Sequence, residues 1–215
     1  MEFTLADKRV VILADGTFPV HKEPLRYLRE AEYIVCCDGA AGALVGAGLE
    51  PALIIGDMDS LPEDIAVRFA DRLVRDDDVE RNDLTKAVEW CWRHGSSSVI
   101  IVGATGKRED HTLGNISLLA DYGKMLTVKM ITDSAVIIPV YENCKISTFP
   151  GQRVSVFSLD SGVPVTSSGL KYPLTGLLLQ SWWTATLNAS TGNSFSLNFP
   201  TARLIIYLGH NDLAT

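Results

Sequence analysis

The 215-residue chain has no apolar run that approaches the ~18 residues a membrane-spanning helix needs. Met1 to Lys8 is mixed polar and acidic and lacks the basic start and apolar stretch of a signal peptide, so a cytoplasmic protein is expected. Cysteine is scarce. Cys36, Cys37, Cys91 and Cys144 show no Cys-x-x-Cys spacing, which argues against a zinc site and a disulfide framework and leaves them as buried free thiols. His21, His94 and His210 have no metal-ligand spacing either. No Gly-x-Ser-x-Gly element, no Walker A loop and no Gly-x-Gly-x-x-Gly after a strand is present. Positive charge is also short: 19 basic against 26 acidic side chains give a net charge of -7. Nucleic acid and anionic membranes are therefore poor partners for this chain. Phosphate ligands remain open, because a divalent cation can bridge carboxylate and phosphate.

What is present is apolar content in two textures. Hydrophobic residues make up 47% of the chain, enough for one large domain or two small ones. In the first part, β-branched runs alternate with helical patterns. Arg9–Leu13, Tyr33–Cys37, Leu53–Ile55 and Ser98–Val102 read as strands. Pro24–Glu30, Ala40–Ala47, 62–72, a helix capped by Asn82 or Asp83 and running to His94, and Asp110–Tyr122 read as helices. That alternation predicts an α/β domain with a parallel sheet and helices on its faces. After about Ile146 the pattern turns to short strands, Arg153–Leu159, Leu177–Leu179, Phe195–Phe199 and Arg203–Leu208, separated by turn residues. An all-β sandwich is predicted there. The expected division is residues 1–142 and 143–215.

Five aspartates fall just past strand ends, where open α/β sheets bind ligands: Asp38, Asp57, Asp59, Asp83 and Asp110. Asp57 and Asp59 are two apart, and on an extended chain their carboxylates share one side, suited to a hard cation such as magnesium. Gly56 lets backbone come close. Gly39, Gly103 and Gly106 lie at strand-to-helix junctions that offer N–H groups to anions, and Arg108 adds a fork of donors for phosphate. Each feature also has a plainer reading: an aspartate after a strand caps the next helix, and Lys86 and Arg108 are solvated charges.

The ordered motifs resemble those of the thiamine pyrophosphokinase family. They are Asp38-Gly39-Ala40, Gly56-Asp57-Met58-Asp59-Ser60, Asn82-Asp83-Leu84-Thr85-Lys86-Ala87, Gly103 through His111 with Leu113 and Asn115, and Gly169-Leu170-Lys171-Tyr172-Pro173-Leu174. The resemblance implies a Rossmann-like N-terminal domain followed by a β-sandwich. It also implies diphosphoryl transfer from ATP to the hydroxyl of thiamine. Asp57, Asp59 and Asp83 would hold magnesium, with Arg108 and Asp110 completing the catalytic set. Asp38, Gly39, Ala40, Arg108 and His111 would contact the nucleotide. Tyr172, Asn188 and Asp83 would contact thiamine, in a homodimer whose thiamine site lies between subunits. Asp110 either joins the metal set or orients Arg108 and His111. Two positions depart from the family pattern: Leu187 replaces a serine in a Thr-Ser-Asn element, and Glu80 stands where glutamine is common. The pair Trp182-Trp183 is an addition. Rival readings are a kinase or nucleotidyltransferase with another acceptor alcohol, and a non-catalytic nucleotide or thiamine sensor.

Overall fold

A computed structural model of the chain describes residues 3–211; residues 1–2 and 212–215, the outer ends of the two expected domains, lie outside the described residues. The chain divides into two compact units, the first ending at Asp133 and the second starting at Ser134. The division falls before 142/143 because Ala135–Val140 pairs along its length with a strand near the C-terminus. Among the described residues no helix is long and apolar enough to cross a membrane.

The first unit runs β1 (Val10–Leu13), α1 (Lys22–Glu30), β2 (Tyr33–Cys37), α2 (Ala40–Gly46), β3 (Leu53–Gly56), α3 (Glu63–Arg68), β4 (Leu73–Arg75), α4 (Asp83–Arg93), β5 (Ser98–Val102), α5 (Glu109–Tyr122) and β6 (Thr127–Ile131). The strands pair in parallel in the order β6-β5-β1-β2-β3-β4. Every residue of β1 is buried, as a central parallel strand covered on both faces requires. α4 packs across β1, β2 and β3. It starts where the Asn82 side chain accepts the Thr85 N–H at 2.9 Å, so Asn82 and not Asp83 is the cap. Gly95, at φ +85°, follows its end. The helix expected over 62–72 is shorter: it stops at Arg68, and Ala70–Arg72 forms a separate 3-10 turn. The break is at Phe69, whose ring is buried with the guanidiniums of Arg68 and Arg72 stacked on it at 4.8 and 5.0 Å. The three-residue β4 and the five-residue β6 were not anticipated.

The second unit contains β7 (Ala135–Val140), β8 (Cys144–Ser147), β9 (Arg153–Ser158), β10 (Pro164–Ser168), β11 (Leu177–Leu178), β12 (Ala185–Ala189), β13 (Ser194–Asn198) and β14 (Leu204–Gly209). Two antiparallel arrangements form, β12-β9-β14-β7 and β11-β10-β13-β8. Alternation explains the layering. Val154 and Val156 of β9, and Phe195 and Leu197 of β13, point inward while their neighbours do not. They meet Val165, Leu204 and Ile206 in one apolar core drawn from both arrangements, as a sandwich requires. Phe195 is 1% exposed, so Phe195→Ala is expected to cost about 3–5 kcal/mol of unfolding free energy. Urea unfolding of the whole chain measures this, and a loss below about 1 kcal/mol would contradict the packing described.

Candidate active site

β1 has β2 on one side and β5 on the other, so successive strands leave in opposite directions from the β1–β5 pair. A sheet of this kind opens a crevice past the carboxyl ends of its strands at that point. A cleft of about 590 Å³ lies there, lined in part by Asp15, Asp57, Asp83, Lys86, Arg108 and His111. The loops after β1 and β5 are zipped together at its mouth: Gly16 N–H donates to the Gly103 carbonyl at 2.7 Å and Thr17 N–H to the Thr105 carbonyl at 2.8 Å.

The acidic wall is built by the loops after β2 and β3. Pairing of Cys37 with Ile55 places Asp38 level with Gly56. The carboxylates of Asp38, Asp57 and Asp59 each offer an oxygen within 4.8 Å of the others. Asp57 and Asp59 come together by a different route from the extended chain expected. Met58 sits at φ +68°, and the run folds into a turn in which Asp57 accepts the Asp59 N–H at 3.1 Å. Ser60 ties the turn to β2 by donating its N–H to Asp38 Oδ2 at 3.1 Å, and its hydroxyl donates to Asp59 at 2.9 Å.

Asp38 is the unusual member. It is buried, it adopts φ +39°, and its Oδ1 has no hydrogen-bond partner. Burial pushes its carboxyl up to about 6, against the pull of the Ser60 N–H and with help from the neighbouring Asp83 and Asp57. A divalent cation fits this donor set. It would supply the partner that Asp38 Oδ1 lacks and offset the repulsion within the cluster. Asp59, exposed at the rim, is held below the usual carboxylate range chiefly by the Ser60 hydroxyl.

Asp83 is outside that group of three. It opens α4 and receives Lys86 Nζ at 3.0 Å. Lys86 is 4% exposed and also donates to the Asp76 carbonyl at 2.8 Å, so it fixes the loop before α4. It is therefore no solvated surface charge. Asp83 still approaches the cluster, since a Cβ added at Gly56 would lie 2.9 Å from Asp38 Cβ and 3.3 Å from the Asp83 carboxylate. Gly39 is also close-packed, its added Cβ falling 3.1 Å from the Ser60 carbonyl. Ala40 is buried as a whole residue.

Asp110 does not join the metal cluster. It grips Arg108 at two points, 2.5 and 3.1 Å, and accepts the His111 N–H at 2.8 Å. The Arg108 pair and the His111 N–H hold its carboxyl down at about 2. This geometry matches the orienting alternative for Asp110. Asn115 accepts from Asn82 at 3.2 Å and donates to the Ala104 carbonyl at 2.9 Å, joining the start of α4 to the loop after β5. Asp15 was missed by the sequence reading, although its Asp-Gly step after β1 repeats that of Asp38-Gly39 after β2.

In the second unit, Tyr172 exposes its ring. Asn188 has another task than the one expected: its amide accepts the Tyr172 N–H at 3.0 Å and donates to the Tyr172 carbonyl at 2.7 Å. Both ends of that buried amide are thus engaged with backbone. Leu187 is exposed at φ +57°, where the pairing of β12 with β9 shifts register. Trp183 is exposed, and Trp182 packs edge-on against Phe157 at 5.8 Å between ring centres. Glu80 is exposed, with its N–H donated to Asp78.

Two family models match the chain. Residues 25–131 match the thiamin pyrophosphokinase catalytic domain, and residues 135–207 match the thiamin pyrophosphokinase substrate-binding domain. The chain is 30% identical over 116 residues to a thiamine pyrophosphokinase of Bacillus subtilis, a match spanning 52% of this chain and 54%, about half, of that relative. A crystal structure of thiamine pyrophosphokinase from Bacillus subtilis superposes with a TM-score of 0.81 at 24% identity, covering 95% of this chain and 100% of that one. Thiamin pyrophosphokinase from Candida albicans gives 0.79 at 18% identity, covering 94% and 90%. These structures share the fold, and the two models together account for both units in order. The chain belongs to the thiamin pyrophosphokinase family.

Proposed function

We propose that this chain transfers the diphosphoryl group of ATP to the hydroxyl of thiamine, giving thiamine diphosphate and AMP. The observation that carries the reading is the carboxylate trio Asp38, Asp57 and Asp59 beside a cleft at the sheet's switch point, in a chain whose two units match the family's catalytic and substrate-binding models. Asp38, Asp57 and Asp59 hold magnesium, with Asp83 alongside as the fourth carboxylate of the wall. The cation, when bound, neutralises phosphate charge and polarises the transferring phosphoryl group.

The protein's own groups position the reactants. Lys86 fixes Asp83 at the wall, where its carboxylate faces the acceptor hydroxyl and can take its proton. Asp110 presents the Arg108 fork toward the triphosphate, and His111 stands beside it. Asp38, Gly39 and Ala40 approach the nucleotide through the close-packed turn after β2. The exposed Tyr172 ring, whose backbone is pinned by the Asn188 amide, offers a π face to the cationic thiazolium. The homodimer that the family resemblance implies and the cytoplasmic setting expected from the sequence belong to the same proposal.

The direct test is incubation with ATP, magnesium and thiamine followed by separation of the nucleotides. AMP with thiamine diphosphate is the expected result. ADP would make the protein a simple kinase, and ligand binding without AMP would make it a sensor. Tyr172→Ala is expected to raise the KM for thiamine about tenfold, the loss of ~1–2 kcal/mol from a stacked cationic ring, with the KM for ATP unmoved. An equal rise in both constants would assign Tyr172 to the architecture of its unit.

A further inference from the structure

Four cationic side chains line the cleft, and their surroundings differ. Arg81 is gripped by Asp76 at 3.1 Å, Asp78 at 2.7 Å and Glu89 at 2.5 Å. Lys86 is buried and anchored by Asp83 and the Asp76 carbonyl. Arg108 is held in a two-point pair by Asp110. Lys107 meets Asp15 through its Nζ at 2.8 Å, with both side chains substantially exposed, 55% and 40%. An exposed single-point pair is weak and exchanges partners readily.

Lys107 also stands in a conformation that its residue type avoids, φ +35°. Strain of this kind persists where the surroundings enforce it, and it gathers at ligand clamps. Here the enforcement is visible. Lys107 N–H donates to Thr17 Oγ1 at 3.3 Å, and the backbones of the two loops are zipped by the Gly16–Gly103 and Thr17–Thr105 bonds. The frame thus carries Lys107 over the β1–β5 switch point, where a ligand of this sheet sits. The Asp15 carboxylate occupies the place at its ammonium that an anionic ligand would take.

We infer that Lys107 is a second polyphosphate-binding cation of the cleft, and that Asp15 holds it in the free protein and yields it to a nucleotide phosphate. Lys107 differs from Arg108 in mode: it is a point charge that changes partners, while Arg108 is a fork kept in one orientation by Asp110. Asp15 accordingly competes with ATP for the ammonium. This assignment rests on the reading of the cleft as an ATP site.

Competition gives the two partners opposite effects, which a mere latch between loops cannot do. Lys107→Gly is expected to weaken Mg·ATP binding about tenfold, the worth of one charge-assisted contact, and to raise the KM for ATP while leaving that for thiamine unchanged. Its melting temperature should not fall, because glycine accepts φ +35° without strain. Asp15→Asn is expected to tighten Mg·ATP binding, and Lys107→Arg to keep most of it. Calorimetric titration of each full-length variant with Mg·ATP reads these effects, alongside steady-state KM values. Weakening in both Lys107→Gly and Asp15→Asn, or unchanged binding in Lys107→Gly, would overturn the assignment. Wild-type protein that turns over to AMP while Lys107→Gly binds normally would defeat Lys107 alone. Wild-type protein that forms no AMP would defeat the diphosphoryl-transfer reading, and the titrations would still decide Lys107.

Discussion

Asp38→Asn is expected to lower magnesium-dependent turnover at least about 100-fold while making the metal-free protein more stable above pH 6. The two effects have one cause. The folded state raises the Asp38 carboxyl from 3.8 to about 6, chiefly by burial. Between those values the folded state holds a proton that the unfolded state has lost, so stability falls as pH rises through that window and stays lower above it. Asparagine removes the buried charge. Its carbonyl can still accept the Ser60 N–H that now goes to Oδ2, and its amide group takes the place of the unpartnered Oδ1. Metal binding demands the opposite, a deprotonated carboxylate, so the substitution that relieves the fold removes a ligand. Thermal melts at pH 5 and pH 8 without metal, together with AMP formation across a magnesium titration, check both halves. A variant that keeps wild-type magnesium dependence would remove Asp38 from the metal set and leave Asp57 and Asp59 without their buried partner. Asp57→Asn and Asp59→Asn are expected to lose turnover as well. They should show no comparable gain in stability, because neither carboxylate is buried.

The parallel strands could be read from the sequence because a strand covered on both faces must be apolar throughout, and VVIL, YIVCC and SVIIV have no other use. β10 (PVTSS) buries Val165 among polar residues, and β12 (ATLNA) buries the polar Asn188 and exposes Leu187 where its register shifts, so both resemble the turns around them. β4 is three residues long, too short for any period to show, whereas the apolar Leu177–Leu179 marked the place of the two-residue β11. The acidic motifs were legible as residue types at strand ends. Which carboxylates meet was not, because that depends on register and on helix placement. Asp38 joins Asp57 and Asp59 because β2 and β3 are neighbours with Cys37 opposite Ile55. Asp83 arrives from α4, one turn away from Lys86, which claims its carboxylate. Asn188 was read as a ligand contact from a motif alone. Its amide turns out to bridge to a backbone segment sixteen residues earlier, a partner that local pattern does not reveal.

Gly56→Ala is expected to damage both metal binding and the fold, and its effect follows from how little room the glycine leaves for a side chain. The new Cβ would fall 2.9 Å from Asp38 Cβ, closer than real Cβ contacts come, and 3.3 Å from the Asp83 carboxylate. Relief by moving β3 is blocked, because β3 is paired with β2 on one side and β4 on the other. Relief by moving the neighbours displaces Asp38 from the trio and strains the Asp83–Lys86 pair. Overpacking of this kind costs about 1–3 kcal/mol, which for a chain of this length lowers the melting temperature by roughly 2–4 °C per kcal/mol. Turnover should fall further than stability, by about 100-fold or more, since displacements near 1 Å at reacting groups cost that much. Gly46→Ala supplies the control: Gly46 lies in α2 with nothing within 4 Å of an added Cβ, so alanine there should be neutral or stabilising by up to about 1 kcal/mol. Magnesium titration of both variants, read by calorimetry and by AMP formation, separates damage at the site from general instability. Wild-type magnesium affinity in Gly56→Ala would mean that the carboxylates meet their cation somewhere other than beside this glycine.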